Sequence, residues 1–141
     1  MDSLEEIYKL EYPVFYQALC HHKTHQNKSI RFENHKYLSA IYKDKSHHIV
    51  SEKGTQSGIS EYLINYAIQK SISGLNVLYT LPTELIKARF VQSRFNTSLQ
   101  YTKYYQEQLK DMDSASMKAL GKGVINFVGS NSEANFAQSL I

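Results

Sequence analysis

A glycine-containing octet, KGTQSGIS at residues 53–60, constrains the fold of this chain more than any other segment. Residues 47–53 before it have the character of a short apolar β-strand, and residues 59–72 after it have the pattern of a helix. The sequence therefore predicts a strand, a tight loop and a helix in direct succession. Phosphate-binding loops occur in this context, and a plain tight turn is the alternative interpretation.

The octet differs from the usual phosphate-loop pattern, GxxxxGK followed by serine or threonine, in the position of its lysine. Gly58 and Ser60 fit the pattern, whereas Ile59 stands where the lysine is expected and Lys53 replaces the first glycine. In the usual loop, backbone amides approach the phosphate oxygens, the lysine contacts the β- and γ-phosphates, and the hydroxyl binds Mg²⁺. A long side chain at position 53 can still fold back over the phosphates, so the motif keeps every part that this chemistry needs.

Composition and charge bound the class of protein. The 141 residues are enough for one domain with a core, and an apolar content of 42% indicates a globular chain. The net charge of +3 permits polyanionic partners without indicating one. Neither a signal pattern nor a membrane-spanning apolar run is found, so we expect a soluble, intracellular protein. The single cysteine, Cys20, excludes an internal disulfide, and we expect it to be a partly buried small residue.

Two histidine clusters raise the alternative of a metal site. His21, His22 and His25 form one cluster, and His47 and His48 form the other. Neither cluster has a carboxylate or a cysteine at ligand spacing. This composition favours surface or partly buried histidines over a metal centre.

The N-terminal part of the chain is predicted to be helical. Residues 3–19 carry the apolar positions of two short helices separated by Pro13, and residues 21–30 form a polar loop. Asn34 is the predicted N-cap of a further helix that ends near Tyr42.

Strands and helices are predicted to alternate after the octet. The helix over residues 59–72 is closed by Gly74, a strand over residues 76–81 ends at Pro82, and Thr83 caps the next helix. Together with the strand before the octet, these elements form a βαβ unit. Such a unit opens a parallel-sheet α/β domain, whose ligands bind at the carboxyl ends of the strands.

The remaining elements follow from weaker signals. The helix capped by Thr83 is predicted to end near Asn96, and another covers residue 98 to about residue 110. Residues 116–120 and 124–128 flank two glycines and predict a β-hairpin, and an apolar helix begins at residue 136.

Four segments in this order resemble one protein family. They are KGTQSGIS with its lysine at the front, the strand NVLYTLPT, the helix segment FVQSR and the hairpin segment GKGVINFVGS. The combination resembles the N-terminal ATPase region of bacteriophage terminase large subunits, the motors that package viral DNA into procapsids. Residues 34–141 carry the resemblance, and some members of that family likewise place the loop lysine first. The resemblance implies a P-loop, RecA- or ASCE-like parallel-sheet core, preceded by a helical and loop segment over residues 1–33.

The resemblance also implies an activity, the coupling of ATP hydrolysis to translocation of double-stranded DNA. ATP and Mg²⁺ are the implied cofactors, with Lys53 as the catalytic residue on the β- and γ-phosphates and Ser60 as the Mg²⁺ ligand. The implied nucleotide-binding residues are Lys53, Gly54, Thr55, Gln56, Ser57, Gly58, Ile59 and Ser60. The implied partners are double-stranded DNA, a portal protein, a small terminase subunit and further copies of the chain, in the host cytoplasm.

Several positions outside the octet have two interpretations each. Arg89 and Arg94 are candidates for contact with phosphate, from DNA or from a neighbouring subunit's nucleotide, or are solvated surface residues. Tyr37 and Tyr42 precede the octet, where adenine contact and core packing are the alternatives.

Two predicted strand ends also have two interpretations each. Residues 79–83 resemble a motif that lies near DNA or supports the nucleotide loop, and the alternative is a strand end with a threonine N-cap. Gly129 and Ser130 either approach the nucleotide or turn a corner of the chain.

The sequence lacks a part that hydrolysis requires. Phosphoryl transfer to water needs an acidic residue at the end of an apolar strand, usually with a second carboxylate beside it, and no apolar run here ends in that way. We therefore expect a piece of a longer protein, cut before the Walker B strand, that hydrolyses ATP poorly by itself. The cut edge of its sheet predicts self-association.

Two other functions fit the same motifs. One is the first half of a RecA-like helicase or another translocase, which shares the strand, the loop and the PT segment. The other is a non-catalytic assembly module, in which the displaced lysine marks a degenerate loop.

Overall fold

The computed structural model describes residues 3–33, 36–50, 58–113 and 116–130. In chain order its elements are α1 (Ser3–Glu11), α2 (Pro13–Cys20), α3 (Lys36–Tyr42), α4 (Ile59–Ile72), β1 (Asn76–Leu81), α5 (Glu84–Phe90), a π-helical turn (Val91–Phe95), α6 (Asn96–Tyr101), α7 (Lys103–Gln108), β2 (Leu109–Asp113), β3 (Met117–Leu120) and β4 (Gly123–Gly129). Among these helices, none is long and apolar enough to cross a bilayer.

The four strands form one mixed sheet in the order β1-β4-β3-β2. β1 runs parallel to β4, so that Leu81 lies opposite Gly129, and antiparallel pairs join β4 to β3 and β3 to β2. The hairpin predicted around Gly121 and Gly123 is confirmed, and Gly121 has the positive φ of +62° that a tight turn requires. The α/β class is thus confirmed at the level of helices packed on a small mixed sheet. The described part of that sheet has one parallel pair, and the RecA-like core stays a prediction.

The prediction of a strand before the octet, over residues 47–53, is wrong for residues 47–50, which the structure describes. Residues 47–50 form no strand, and Val50 is 97% exposed while Ile49 is 39% exposed. The prediction depended on a run of two apolar residues, Ile49 and Val50, which are exposed and do not pair with the sheet. The parallel partner of β1 is β4, which follows it in the chain, and the βαβ unit expected around the octet is not formed by the described residues.

Most of the predicted helices are confirmed, with local differences in their ends. Pro13 starts α2, where its missing N–H costs nothing, and Thr83 caps α5 by accepting from the Ile86 amide at 3.1 Å. The helix expected to end near Asn96 continues into α6, because Asn96 keeps helical torsion angles of −60° and −36°. Thr102, whose backbone is extended, ends it instead. The strand β2 lies where the end of a helix was predicted, and Asn34 and residues 136–141 lie outside the described residues.

Helix α4 is shared by two hydrophobic clusters. One joins α4, the helices α5–α7 and the sheet, with Ile64, Ile68, Phe95, Tyr105 and Phe127 at its centre. The other, the N-terminal cluster, joins α4 to α2 and α3, with Phe15, Leu38, Tyr42, Ile59 and Tyr62. The N-terminal helices therefore pack directly on the helix that follows the octet.

Candidate functional site at the start of helix α4

The end of the octet forms the beginning of helix α4. Gly58 is its N-cap, with φ +88° and ψ 0°, and the Tyr62 amide donates to the Gly58 carbonyl at 3.1 Å. Gly58 has no side chain that could cap this end of the helix. The first amides of a helix have no partner within the helix, so this 14-residue helix directs N–H donors and the positive end of its dipole to this point. Residues 53–57, and with them Lys53, lie outside the described residues.

Gly58 and Ile59 are held by the N-terminal cluster. A Cβ at Gly58 would lie 2.9 Å from Leu38 Cδ1, and its positive φ is strained for any other residue. Ile59 is 8% exposed and packs in the cluster with Tyr62. The side chain at position 59 thus points into a hydrophobic core, where a lysine would be a buried charge. Ser60, the next residue, is half-buried at the start of the helix.

The start of α4 lies at the edge of the sheet where β1 and β4 end. A tight turn at Gly74, with φ +107°, joins α4 to β1, and α4 packs on β1 and β4. The helix and the strand therefore run in opposite directions, which brings Gly58 toward the carboxyl ends of the parallel pair. This is the edge at which α/β sheets bind ligands.

Charged and polar side chains from three segments meet at the first turn of α4. Arg94 Nη2 donates to Glu61 Oε1 at 3.2 Å, and Glu61 Oε2 lies 2.7 Å from His22 Nε2. His25 Nδ1 is 3.8 Å from Glu61 Oε1. An ionised carboxylate only accepts hydrogen bonds, so His22 Nε2 is the donor in its pair. Glu61 therefore joins the loop after α2 to the π-helical turn.

The same network continues into the core through His22. His22 Nδ1 lies 2.6 Å from the Tyr105 hydroxyl, which is 3.4 Å from Asn65 Oδ1. Asn65 Nδ2 donates to the Tyr42 hydroxyl at 3.3 Å, and Gln17 Nε2 donates to the Asn65 carbonyl at 3.0 Å. The network is shielded from water, because all five of its side chains are buried: His22, Tyr105, Asn65, Tyr42 and Gln17. Its hydrogen bonds fix the positions of α2, α3, α4 and α7 relative to one another.

Burial and charge act in opposite directions on Glu61. Burial favours its neutral form, but the hydrogen bond and charge of His22, together with the Arg94 guanidinium, outweigh burial and hold the pKa of Glu61 below its ordinary value. Burial is the main cause that raises the pKa of Tyr105 well above its ordinary value. Glu61 is thus the anion of the network, and the Tyr105 hydroxyl keeps its proton.

The two candidate arginines differ in their surroundings. Arg89 is exposed on α5, whereas Arg94 lies in the π-helical turn with a side chain that is 32% exposed and is paired with Glu61. The solvated-surface interpretation therefore does not describe Arg94. Whether either arginine contacts a phosphate stays a prediction.

The ends of β1 and β4 have structural roles in the described fold. Tyr79 packs on Phe90 and Phe127, with ring centroids 5.2 Å and 5.5 Å away, and burial raises its pKa to about 12. Ser130 N donates to the Leu81 carbonyl at 2.8 Å, which continues the parallel ladder.

Gly129, the last residue of β4, lies close against the start of α5. A Cβ at this position would lie 2.5 Å from Glu84 N and 2.7 Å from Thr83 C. Its amide donates to Glu84 Oε1 at 3.1 Å. The close backbone approach and the threonine cap support the structural interpretation of both segments.

Three other expectations from the sequence have different outcomes. Tyr42 is buried in the N-terminal cluster, as core packing predicts, whereas Tyr37 is 51% exposed. Cys20 is exposed at the end of α2 and not partly buried as expected, because it follows the last residue of that helix that faces the core, Ala18. Within residues 3–33, 36–50, 58–113 and 116–130, no group of three or more histidine, cysteine or acidic side chains could hold a metal ion.

A cavity of about 420 Å³ lies beside the start of α4. Its lining consists of Ser46, His47, Ile49, Ile59, Tyr62, Leu63 and Tyr66. Aromatic and aliphatic walls of this kind suit a flat apolar ring. Tyr62 and Tyr66 were not among the predicted ring contacts, since their helical spacing in α4 is that of core residues.

The central residues of the network were not found by sequence reasoning. Glu61 directly follows the octet, and an acidic residue in the first turn of a helix is the one signal that pointed to it. His22 was considered only as a metal ligand, and no spacing rule connects it with Glu61 or Tyr105. Comparison of the chain with models of protein families, with curated proteins and with solved structures found no match.

Proposed function

We propose that the start of helix α4 binds the phosphates of ATP and that the chain is the nucleotide-binding unit of a DNA-packaging motor. The observation that carries the proposal is the left-handed Gly58 at the N-cap of α4, a residue that has no side chain to cap the amides of the first turn. Backbone amides in this arrangement bind phosphate oxygens. The octet supplies the rest of the proposed cradle, with Lys53 on the β- and γ-phosphates and Ser60 on Mg²⁺.

The burial of Ile59 supports this assignment. In the usual loop a lysine occupies this position, and here the side chain faces a hydrophobic cluster that would exclude an ammonium group. A cation for the phosphates must then come from elsewhere in the octet, and Lys53 is its one basic residue. The cavity lined by Tyr62 and Tyr66 is a suitable place for the adenine ring.

The motor function derives from the resemblance to terminase large subunits. The family couples ATP hydrolysis to movement of double-stranded DNA, so the proposed activity is that of an ATPase with DNA, portal and small-subunit partners. The start of α4 at the carboxyl edge of β1 and β4 is the feature of the fold that agrees with it.

A calorimetric titration with ATP tests the proposal. We expect wild-type protein to bind ATP in the presence of Mg²⁺, with affinity lost on chelation of the metal and in Lys53→Ala. Lys28→Ala, which removes an exposed lysine from the loop after α2, is the matched control and should bind as wild type does. Wild-type protein without Mg²⁺-dependent affinity for ATP, or Lys53→Ala with unchanged affinity, would overturn the proposal.

A non-catalytic assembly module is the second candidate. The absence of a strand over residues 47–50 favours it, because a phosphate loop normally follows a strand of the central sheet. The same titration separates the two, since an assembly module with a degenerate loop has no Mg²⁺-dependent affinity for ATP.

A further inference from the structure

The two arginines that follow β1 point to different environments. Arg89 is exposed on α5, while the Arg94 guanidinium reaches the first turn of α4 and donates to Glu61 at 3.2 Å. Glu61 is the residue next to Ser60, the proposed Mg²⁺ ligand. The fold therefore places one arginine of this chain beside its own proposed phosphate site.

A π-helical turn sets the direction of Arg94. Residues Val91–Phe95 form this turn between α5 and α6. A π-helical turn adds one residue to the helix, and one residue rotates the following side chains by about 100°. Turns of this kind are frequent at functional sites. The Arg94 side chain is redirected toward α4, and the neighbouring Phe95 fills the core.

The Arg94 guanidinium retains donors that Glu61 does not use. A guanidinium has five N–H donors in a planar fork, and among the described residues Arg94 makes one hydrogen bond, from Nη2. The Nε atom is buried, and it has no hydrogen-bond partner in the part of the chain that the structure describes. A guanidinium with remaining donors binds phosphate oxygens through two parallel hydrogen bonds.

Glu61 is itself held in place on its other side. Its second oxygen accepts from His22 Nε2 at 2.7 Å, and the His22 side chain is fully buried. The carboxylate therefore has one orientation, which presents one oxygen to Arg94. Its rotation would break the hydrogen bond to a buried histidine, which is costly.

We propose that Arg94 contacts the phosphates of the nucleotide bound by its own chain, and that Glu61, held by His22, positions the guanidinium for this contact. The inference rests on the function proposed above and adds the residue that supplies the second cation. Arg94 is the binding residue, and Glu61 and His22 are positioning residues.

Affinity for Mg²⁺-ATP in matched arginine variants tests the contact. We expect Arg94→Gln to weaken binding at least about ten-fold, because it removes a charge-assisted contact, and Arg94→Lys to have an intermediate affinity since the charge stays and the fork is lost. Arg89→Gln, the control, should stay within about two-fold of wild type. The affinity of Arg94→Gln should also depend less steeply on salt than that of wild type, which a purely structural role would not produce.

Positioning by Glu61 is tested in a double-mutant cycle. Glu61→Gln should change the affinity for ATP in the wild-type background and have no further effect in Arg94→Gln, because Glu61 acts through Arg94. Equal effects of Glu61→Gln in both backgrounds would overturn the positioning role. Thermal unfolding without nucleotide shows whether each variant is folded. If Arg94→Gln does not fold, Arg94→Lys still tests the contact.

The outcomes separate this inference from the function on which it rests. If wild-type protein does not bind ATP in a Mg²⁺-dependent way, the proposed function fails and the inference with it. If wild-type protein binds and Arg94→Gln binds as tightly as Arg89→Gln, the inference alone is overturned.

Discussion

His22 and Glu61 are joined by a hydrogen bond of 2.7 Å between Nε2 and Oε2, although 39 residues separate them in the chain. The bond connects the loop after α2 to the first turn of α4. A second bond joins the same loop to the point between α6 and α7, because the Lys23 amide donates to the buried Thr102 hydroxyl at 2.9 Å. The N-terminal segment is therefore part of the structure that supports the candidate site.

Removal of the His22 side chain should destabilise the whole fold. His22→Ala leaves a cavity and deprives Glu61 and the Tyr105 hydroxyl of buried partners, so we expect a loss of about 2–4 kcal/mol in the free energy of unfolding. Urea denaturation measures the change. His48→Ala, an exposed histidine, is the control and should cost less than about 0.5 kcal/mol. Equal stabilities of the two variants would show that the buried network contributes nothing.

Glu61 should make the stability fall at acidic pH. Its pKa in the folded protein is below the ordinary value of 4.5, so the folded state binds fewer protons than the unfolded chain. Its contribution is then present above pH 4.5 and is lost as the pH falls through the lower, folded pKa. The difference in unfolding free energy between wild type and Glu61→Gln should therefore shrink below that pH.

An exposed ion pair provides the contrast for Glu61. The hydrogen bond from Lys45 and its charge lower the pKa of Glu11, whose carboxylate lies on the surface 2.8 Å from Lys45 Nζ. Salt at about 1 M should screen the effect of Glu11→Gln and leave that of the buried Glu61→Gln largely intact. If the pH dependence of the difference in unfolding free energy between wild type and Glu61→Gln disappears at high salt, the burial of the partners of Glu61 is contradicted.

Gly129→Ala should be strongly destabilising for steric reasons. The added Cβ would lie 2.5 Å from Glu84 N and 2.7 Å from Thr83 C, and a backbone cannot rotate away as a side chain does. We expect a loss of about 2–3 kcal/mol, measured by urea denaturation. Ser130→Ala keeps the backbone bond from Ser130 to Leu81 and should change stability by less than about 0.5 kcal/mol. A Gly129→Ala variant as stable as wild type would mean that β4 and α5 are further apart than described.

Tyr79 should limit stability at alkaline pH. Burial raises its pKa from 10.0 to about 12, so its neutral form stabilises the fold below pH 10 and this contribution is lost as the pH rises toward 12. Tyr79→Phe keeps the ring contacts with Phe90 and Phe127 but cannot ionise. The stability of Tyr79→Phe relative to wild type should therefore increase over this range, and a constant difference would contradict the prediction. Tyr101→Phe, which removes an exposed phenol, is the matched control.

Local signals in the sequence were sufficient for most elements. Pro13 between two apolar stretches, Thr83 before a helix and the glycines at 121 and 123 each act through a few neighbouring residues. For this reason the start of α2, the start of α5 and the β3–β4 hairpin could be predicted. The apolar pair Ile49 and Val50 indicated a strand wrongly, because a strand also needs a partner, and pairing depends on residues far along the chain.

The sequence by itself determined where α4 begins, since a glycine followed by a helical pattern is a local feature. It also determined that position 59 of the octet carries no lysine. Only the tertiary structure decided that Ile59 faces a core, that Arg94 points to α4 and Arg89 to solvent, and that Glu61 lies between Arg94 and His22. The physical reason is that these contacts join residues from separate segments, and burial and charge pairing arise only when packing brings those segments together.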